Sequence, residues 1–389
     1  MNNNRLLIAA AGAGKTTYLV EQALALAPET VLITTFTEAN EREIRSRFVA
    51  KVGYVPSNVT IKTWFAFLLQ NGVKPFQSVL CEELHNKTIG FILTSDKSGK
   101  RFDGNGKPLL FQNRPLYWGE KDFLKYYFTE SLKIYSDKIA KFVCETEAKS
   151  NGAVVSRVAR AFKNIFIDEV QDLAGYDLEL LKLFFKSDAK LVLVGDPRQV
   201  TYLTHNTPKF GKYAEGKIKD FVENELGKKI TCIVDTETLS ASHRNHRLIC
   251  EFSSKLYPNL PKAISCSCAQ CNKDDPHNGI FLIKPQQVEE YLEQYRPLQL
   301  RWNSSTKVNK AYEAMNLGES KGLTVNRVLI YPTKDMLSWL RNHNFNLKND
   351  ARAKLYVGLT RSRYSSAIVA DYADNEEFDG VLKYNDQKI

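Results

Sequence analysis

The sequence has no apolar run approaching the roughly 18 residues of a membrane span, so no membrane partner is expected. Its opening, Met1-Asn2-Asn3-Asn4-Arg5, runs straight into a short apolar stretch and lacks the layout of a secretory leader. No internal repeat with a period of roughly 20–50 residues is visible, which excludes a solenoid. Cysteine is sparse: seven among 389 residues, unevenly spaced, exclude a disulfide framework and read as reduced thiols in a cytoplasmic protein. Acidic residues are the scarcer charge, 44 Asp and Glu against 54 Lys and Arg, a net +10 at pH 7. Such a surplus favours an anionic partner, nucleic acid first, but serves plain solubility equally well.

What is present is the composition of a globular chain, 43% hydrophobic and 25% charged, which excludes a disordered or collagen-like protein. The length suits about two to three domains with a large core. The 18 Tyr and 21 Phe include rings suited to stacking on bases, although most are expected in the core.

The pattern is that of an α/β protein with parallel sheets. A strand at Arg5–Ala9, a small and glycine-rich loop at Ala10–Gly14 and a helix over Lys15–Leu26 open the chain. Strands at Val31–Thr35 and Val59–Lys62 flank a charged helix from about Glu38 to Ala50. The alternation breaks over a Lys-, Gly- and Tyr-rich stretch containing the turn or loop Ser98–Gly106. It resumes with a strand at Ile165–Asp168, a helix over Tyr176–Phe185 and a strand at Lys190–Gly195. Later come a strand at Arg327–Tyr331, helices near Lys334–Arg341 and Ala351–Arg361, and a strand at Ser366–Ala370. The division read from this is a first core at 1–70 and 154–235, an inserted subdomain at 71–153, and a second core at 236–389.

Ala9-x4-Gly14-Lys15-Thr16 matches a P-loop with alanine in place of the first glycine, between a strand and a helix. Small residues (Ala10, Ala11, Gly12, Ala13, Gly14) let backbone N–H groups wrap the phosphates of ATP, and the helix N-terminus, with Thr17 in its first turn, adds positive potential. Lys15 would reach the outer phosphates, and Thr16 would give its hydroxyl to Mg²⁺. Ile165-Phe166-Ile167-Asp168-Glu169 places two acids at the carboxyl edge of a sheet. Asp168 can hold Mg²⁺ and Glu169 can take a proton from attacking water. Two acids after a strand also serve simply as a helix cap.

Further boxes follow in order, and together they resemble the UvrD/Rep branch of superfamily 1 helicases. Ile33-Thr34-Thr35-Phe36-Thr37 resembles that family's TFTN box, Thr63-Trp64-Phe65-Ala66-Phe67 its TFHSF box, and Asp168-Glu169-Val170-Gln171-Asp172 its DExQD box. Gly195-Asp196-Pro197-Arg198-Gln199 with Tyr202 resembles GDxxQ…Y, and Ser242-His243-Arg244-Asn245 resembles NYRS. Ser320-Lys321-Gly322-Leu323 resembles SKGLE, and Tyr356-Val357-Gly358-Leu359-Thr360-Arg361-Ser362-Arg363 resembles YVALTRAR.

The resemblance implies two RecA-like P-loop NTPase cores with ATP between them and a small inserted subdomain in the first. It implies that Gln199 contacts the γ-phosphate and attacking water, and that Arg244 and Arg361 stabilise charge on the transferred phosphoryl group. His243 stands where the family stacks a Tyr on adenine, and Gly322 falls in a nucleotide-binding box. Phe36, Thr63, Trp64, Tyr202 and Asn316 fall where single-stranded DNA is contacted, although Trp64, Phe65 and Phe67 fit a helix's core stripe as well. The activity implied is ATP-driven 3′–5′ translocation on, or unwinding of, single-stranded DNA or a single-strand/duplex junction. The alternative is a DNA-sensing ATPase subunit that controls a partner such as a nuclease in anti-phage defence or repair.

The chain departs from the family in four ways. Too few residues precede the P-loop for the upstream glutamine box that reads adenine. After Tyr202 stand Leu203, Thr204 and His205 in place of an Arg and a further aromatic. Gly318 and Thr324 replace a His and a Glu around the Lys321-Gly322-Leu323 box. The interval from Asn245 to Asn316 is too short for the large regulatory insertion, leaving a vestige near 258–310. The ATPase set is thus complete while the DNA set is thinned. Within that interval Cys266, Cys268 and Cys271, with His277, offer three thiols and an imidazole to a Zn²⁺ ion, or form a reduced loop.

Overall fold

The structure is a computed structural model that describes residues 4–94, 96–201, 204, 208–268 and 275–384. Chain contacts divide it into two compact units. The first holds Met1–Leu6, Thr16–Leu193 and Leu203–Ile233; the second holds Leu7–Lys15, Val194–Tyr202 and Val234–Ile389.

The first unit opens with β1 (Asn4–Ile8), α1 (Lys15–Ala25), β2 (Val31–Thr35), α2 (Glu38–Val52), β3 (Val59–Thr63) and α3 (Trp64–Leu68). β2, Val-Leu-Ile-Thr-Thr, is buried along its whole length, and the Thr34 hydroxyl donates to the Phe166 carbonyl at 3.3 Å. Thr37 caps α2, its hydroxyl accepting from the Asn40 N–H at 3.1 Å, and Gly53 ends it in the left-handed region at φ +86°. The exposed face of α2 carries Glu–Arg pairs one turn apart: Glu38–Arg42, Glu41–Arg45 and Glu43–Arg47.

The next interval is built of short elements: α4 (Gln77–Leu80), β4 (Gly90–Ile92), β5 (Leu110–Phe111), β6 (Arg114–Pro115), α5 (Phe123–Tyr127) and β7 (Lys133–Tyr135). β4 pairs in parallel with β7, and β5 with β6 antiparallel. The stretch read as a loop contains a turn in which the Gly106 N–H donates to the Asp103 carbonyl, while Ser98 is buried and donates to the Asp137 carboxylate at 2.6 Å. α6 (Ser136–Lys149) then packs on α3 and on α8, so this interval shares the first unit's core. The unit continues through α7 (Ala153–Ala161), β8 (Asn164–Asp168), α8 (Tyr176–Phe185), β9 (Lys190–Gly195), α9 (Ile218–Glu225) and β10 (Cys232–Asp235). Its six-stranded sheet runs β10-β1-β9-β8-β2-β3, with β2 parallel to both β3 and β8.

The second unit adds β11 (Ala241–Ser242), α10 (Arg247–Ser254), β12 (Ile264–Ser265), β13 (Gly279–Ile283), α11 (Val288–Tyr295), β14 (Leu298–Arg301) and β15 (Ala314–Asn316). β16 (Val325–Ile330), α12 (Lys334–Arg341), α13 (Asn349–Leu359), β17 (Ser362–Val369) and β18 (Leu382–Lys383) complete it. A six-stranded sheet of order β15-β14-β16-β17-β13-β18 is parallel at every pairing. Its core gathers Ile280, Leu282, Leu300, Val328, Ile330 and Ile368 with Phe252, Trp339 and Tyr356. β12, β13 and β14 lie inside the interval 258–310. Two parallel α/β sheets match the fold class expected for RecA-like cores. No helix among the described residues is long and apolar enough to cross a membrane.

Candidate functional site

The loop between β1 and α1 is defined by close approach. Ala9, Ala10, Ala11 and Ala13 are buried, and Gly12 and Gly14 take left-handed φ values of +74° and +80°. A β-carbon on Gly12 would fall 2.6 Å from Cβ of Arg244 and 2.8 Å from Oγ of Ser242. Glycine is therefore required twice over, by conformation and by space. The loop is also hydrogen-bonded to other segments of the second unit, of which it is part. The Ala10 N–H donates to the Leu239 carbonyl at 2.8 Å, and the His243 N–H donates to the Gly12 carbonyl at 2.9 Å. α1 starts at Lys15 with no acidic residue in its first turn, so its positive end is not offset by its own side chains. A narrow backbone cradle, a helix N-terminus and a lysine fit a polyphosphate.

Beside the loop lies a buried polar cluster centred on Asp196. Its carboxylate accepts from Arg198 Nη1 at 3.0 Å, Gln199 Nε2 at 2.9 Å and the Tyr356 hydroxyl at 3.3 Å. Burial works against the charge on Arg198, and the Asp196 carboxylate outweighs it, holding the guanidinium above its ordinary pKa. Burial, reinforced by Asp196, pushes the Tyr356 hydroxyl up, so Tyr356 stays a neutral donor. Gln199 passes the cluster on: its Oε1 accepts from Arg361 Nη2 at 3.2 Å. Arg361 is buried, and its Nε donates to the Val357 carbonyl at 3.0 Å.

Asn245 joins two boxes that are remote in sequence, donating to the carbonyls of Thr360 at 3.0 Å and Ser362 at 2.7 Å. Arg244 Nη1 donates to the same Thr360 carbonyl at 3.3 Å. The motif reading singled out Gln199, Arg244 and Arg361 but missed Asp196, Arg198, Asn245 and Tyr356. Their signal was available, since each lies inside a box already recognised.

In the first unit β8 delivers Asp168 and Glu169, both buried. Glu169 sits in the left-handed region at φ +56°, ψ +37°, which costs a non-glycine residue about 1–2 kcal/mol. The Asp168 carboxylate accepts the Glu169 N–H at 3.0 Å, and Gln171 Nε2 donates to Glu169 Oε2 at 2.5 Å. A side chain is thus fixed at the end of a central strand against backbone preference. Thr16 and Asp168 offer hard oxygen donors of the type Mg²⁺ takes. The Thr17 hydroxyl accepts from Arg47 Nη1 at 2.7 Å, which leaves its O–H and its backbone N–H to donate.

The residues read as DNA contacts are placed unevenly. Trp64 is a correction: it is fully buried, and its Nε1 donates to Asp177 Oδ1 at 2.7 Å. α3 is a short helix buried on nearly every side, so its first aromatic goes into the core with Phe65 and Phe67. The Thr63 hydroxyl caps α3, accepting from the Ala66 N–H at 3.3 Å. Phe36 is half-buried and meets Phe65 edge to face at 5.6 Å. Asn316, on β15, donates to Glu319 Oε1 at 2.9 Å, and Gly322 is an exposed left-handed residue at φ +90°. Tyr202 lies outside the described residues.

The zinc set is corrected too. Cys271 lies outside the described residues, and the His277 ring is stacked between Phe281 at 3.8 Å and Tyr295 at 4.1 Å, with Nε2 on the Tyr291 hydroxyl at 2.9 Å. His277 is a core histidine held by aromatics. The imidazole that does lie with Cys266 and Cys268 is His243.

The strand–loop–helix carrying Lys15 has the form of a P-loop. The chain belongs to the AAA domain family, which matches residues 1–205. Comparison with curated proteins gives no match. Among solved structures, the Arterivirus nonstructural protein 10 (helicase) is similar at 12% identity and TM-score 0.45, over 96% of this chain and 60% of that one. The same helicase in complex with DNA is similar at 12% identity and TM-score 0.45, over 96% and 61%. The chain thus spans about 60% of the length of these structures.

Gly12→Ala combines a left-handed alanine with a clash and should lower stability by about 2–4 kcal/mol. Gly14→Ala, whose β-carbon would meet only the His243 ring at 3.9 Å, should cost about 1 kcal/mol, both read from denaturant unfolding. Burial and then Arg327 lower the His277 pKa from 6.5 to about 4, so the fold favours the neutral ring. Its stabilising contribution is complete above about pH 6.5 and is lost as pH falls toward 4, about 1–3 kcal/mol in all. His277→Phe should flatten that part of the stability–pH curve.

Proposed function

We propose that the chain is an ATP-driven nucleic-acid motor of the UvrD/Rep type, working in the cytoplasm on single-stranded DNA or a single-strand/duplex junction with 3′–5′ polarity. The observation that carries this reading is the buried bond between Gln199 and Arg361, which joins two motif boxes beside the phosphate loop. Lys15 holds the outer phosphates, and Thr16 and Asp168 hold Mg²⁺, which when bound offsets phosphate charge. Glu169 takes the proton of the attacking water, and its fixed, strained conformation is what a positioned base needs. Gln199 registers the γ-phosphate, and Arg244 and Arg361 stabilise charge on the transferred group. His243 and Gly322 contact the rest of the nucleotide. Phe36, Thr63, Tyr202 and Asn316 track the strand, supported by the net charge of +10.

One observation favours a second reading. Trp64, expected to stack on bases, is buried instead. With stacking thinned, the chain acts as a DNA-sensing ATPase that switches a protein partner such as a nuclease in defence or repair. The two readings separate on strand displacement, which only the motor performs unaided.

The test is ATP hydrolysis with no nucleic acid, single-stranded DNA, duplex DNA and RNA. Single strands should stimulate the rate, and added salt should weaken that stimulation steeply. Glu169→Gln should lower turnover by about 10²–10⁴-fold while ATP affinity changes little. Hydrolysis indifferent to every nucleic acid would sink the motor reading, and full activity in Glu169→Gln would sink the assigned chemistry.

A further inference from the structure

We propose that His243, Cys266 and Cys268 bind a zinc ion that braces the strand pair gripping the phosphate loop. β11 and β12 run parallel in the register Ala241↔Ile264 and Ser242↔Ser265. The residues that follow, His243 and Cys266, therefore leave the pair side by side, and the Cys266 N–H extends the ladder to the Ser242 carbonyl at 2.8 Å. Cys268 returns its N–H to Cys266 Sγ at 3.4 Å, a contact that steadies a metal-bound sulfur.

The imidazole and two sulfur donors all lie within 4.8 Å of one another. A tetrahedral zinc site with Zn–S near 2.3 Å and Zn–N near 2.0 Å has donor–donor edges of about 3.5–3.8 Å. His243 and Cys268 are exposed, so small side-chain rotations close that gap. Two thiols with an imidazole select zinc over Mg²⁺ or Ca²⁺, and three protein donors leave a fourth position for water or another ligand.

The consequence lies in what His243 already holds, since its own N–H donates to the Gly12 carbonyl. A ring fixed to a metal fixes that donor, and with it the left-handed turn of the loop. This functional consequence rests on reading the Ala9–Thr16 loop as the nucleotide site; the metal site itself does not.

The test uses the full chain, expressed with added zinc and purified without chelator. It should carry about one zinc per chain. Cys266→Ser, Cys268→Ser and His243→Ala should each retain under about a third of that, while Cys81→Ser retains all of it. Cobalt in place of zinc should give a thiolate-to-cobalt charge-transfer band and a tetrahedral visible spectrum. Chelator-stripped wild-type chain, which carries no substitution, should bind a fluorescent ATP analogue about three- to tenfold more weakly and recover with zinc but not with magnesium.

Zinc at or below about 0.2 per chain with no cobalt–thiolate band, or copper or iron in its place, would overturn the site. Full zinc in His243→Ala would overturn the role of the imidazole, and unchanged analogue affinity after stripping would overturn the bracing. Zinc without ATP hydrolysis would sink the motor reading and leave this one standing. Hydrolysis without zinc would do the reverse.

Discussion

Gly12 has no room for a β-carbon, and the arrangement of the second unit around it follows from that. A backbone can approach Cβ of Arg244 and Oγ of Ser242 this closely only where the residue is glycine and left-handed. The approach lets the His243 N–H reach the Gly12 carbonyl, while Leu239 takes the Ala10 N–H. The buried alanines on either side hold the rest of the turn in the core, with Ala11 packed among the side chains around Tyr356. A loop held in this way keeps its shape without a ligand, which favours binding because little ordering remains to be done.

The second constraint is that polar groups this deeply buried must be satisfied. Asp196, Arg198, Gln199 and Tyr356 satisfy one another, and Arg361 is tied in through Gln199. In such a medium each bond is stronger, and each lost partner more costly, than at a surface. A perturbation at Gln199 is therefore felt at both Asp196 and Arg361. Asn245 plays the corresponding part for the backbone, joining the end of β11 to the start of β17.

Much of the fold was legible because buried parallel strands read as unbroken apolar runs: Val31–Thr35 and Lys190–Gly195 are strands over those spans, and Tyr176–Phe185 and Lys334–Arg341 are helices. Boundaries slipped where tertiary contacts decide them. The last long helix ends at Leu359, leaving Arg361 just past its end, and β17 starts at Ser362, ahead of the apolar stretch, because pairing with β16 begins there. Trp64 was ambiguous in sequence because stacking on bases and filling a core ask for the same residue type. The partner of the two cysteines could not be read from spacing, since a parallel pairing between segments more than twenty residues apart brings His243 beside Cys266. His277, nearer to them in sequence, answers instead to Phe281, Tyr291 and Tyr295.

Equilibrium binding tests most directly whether the Ala9–Thr16 loop takes a nucleotide. Titration calorimetry with ATP and Mg²⁺ on the wild-type chain and on Lys15→Ala, each first shown to be folded, is the decisive comparison. One site per chain is expected in the wild type, and an affinity loss of about tenfold or more in the variant. Equal binding by the two chains, or none by the wild type, would contradict nucleotide binding at this loop.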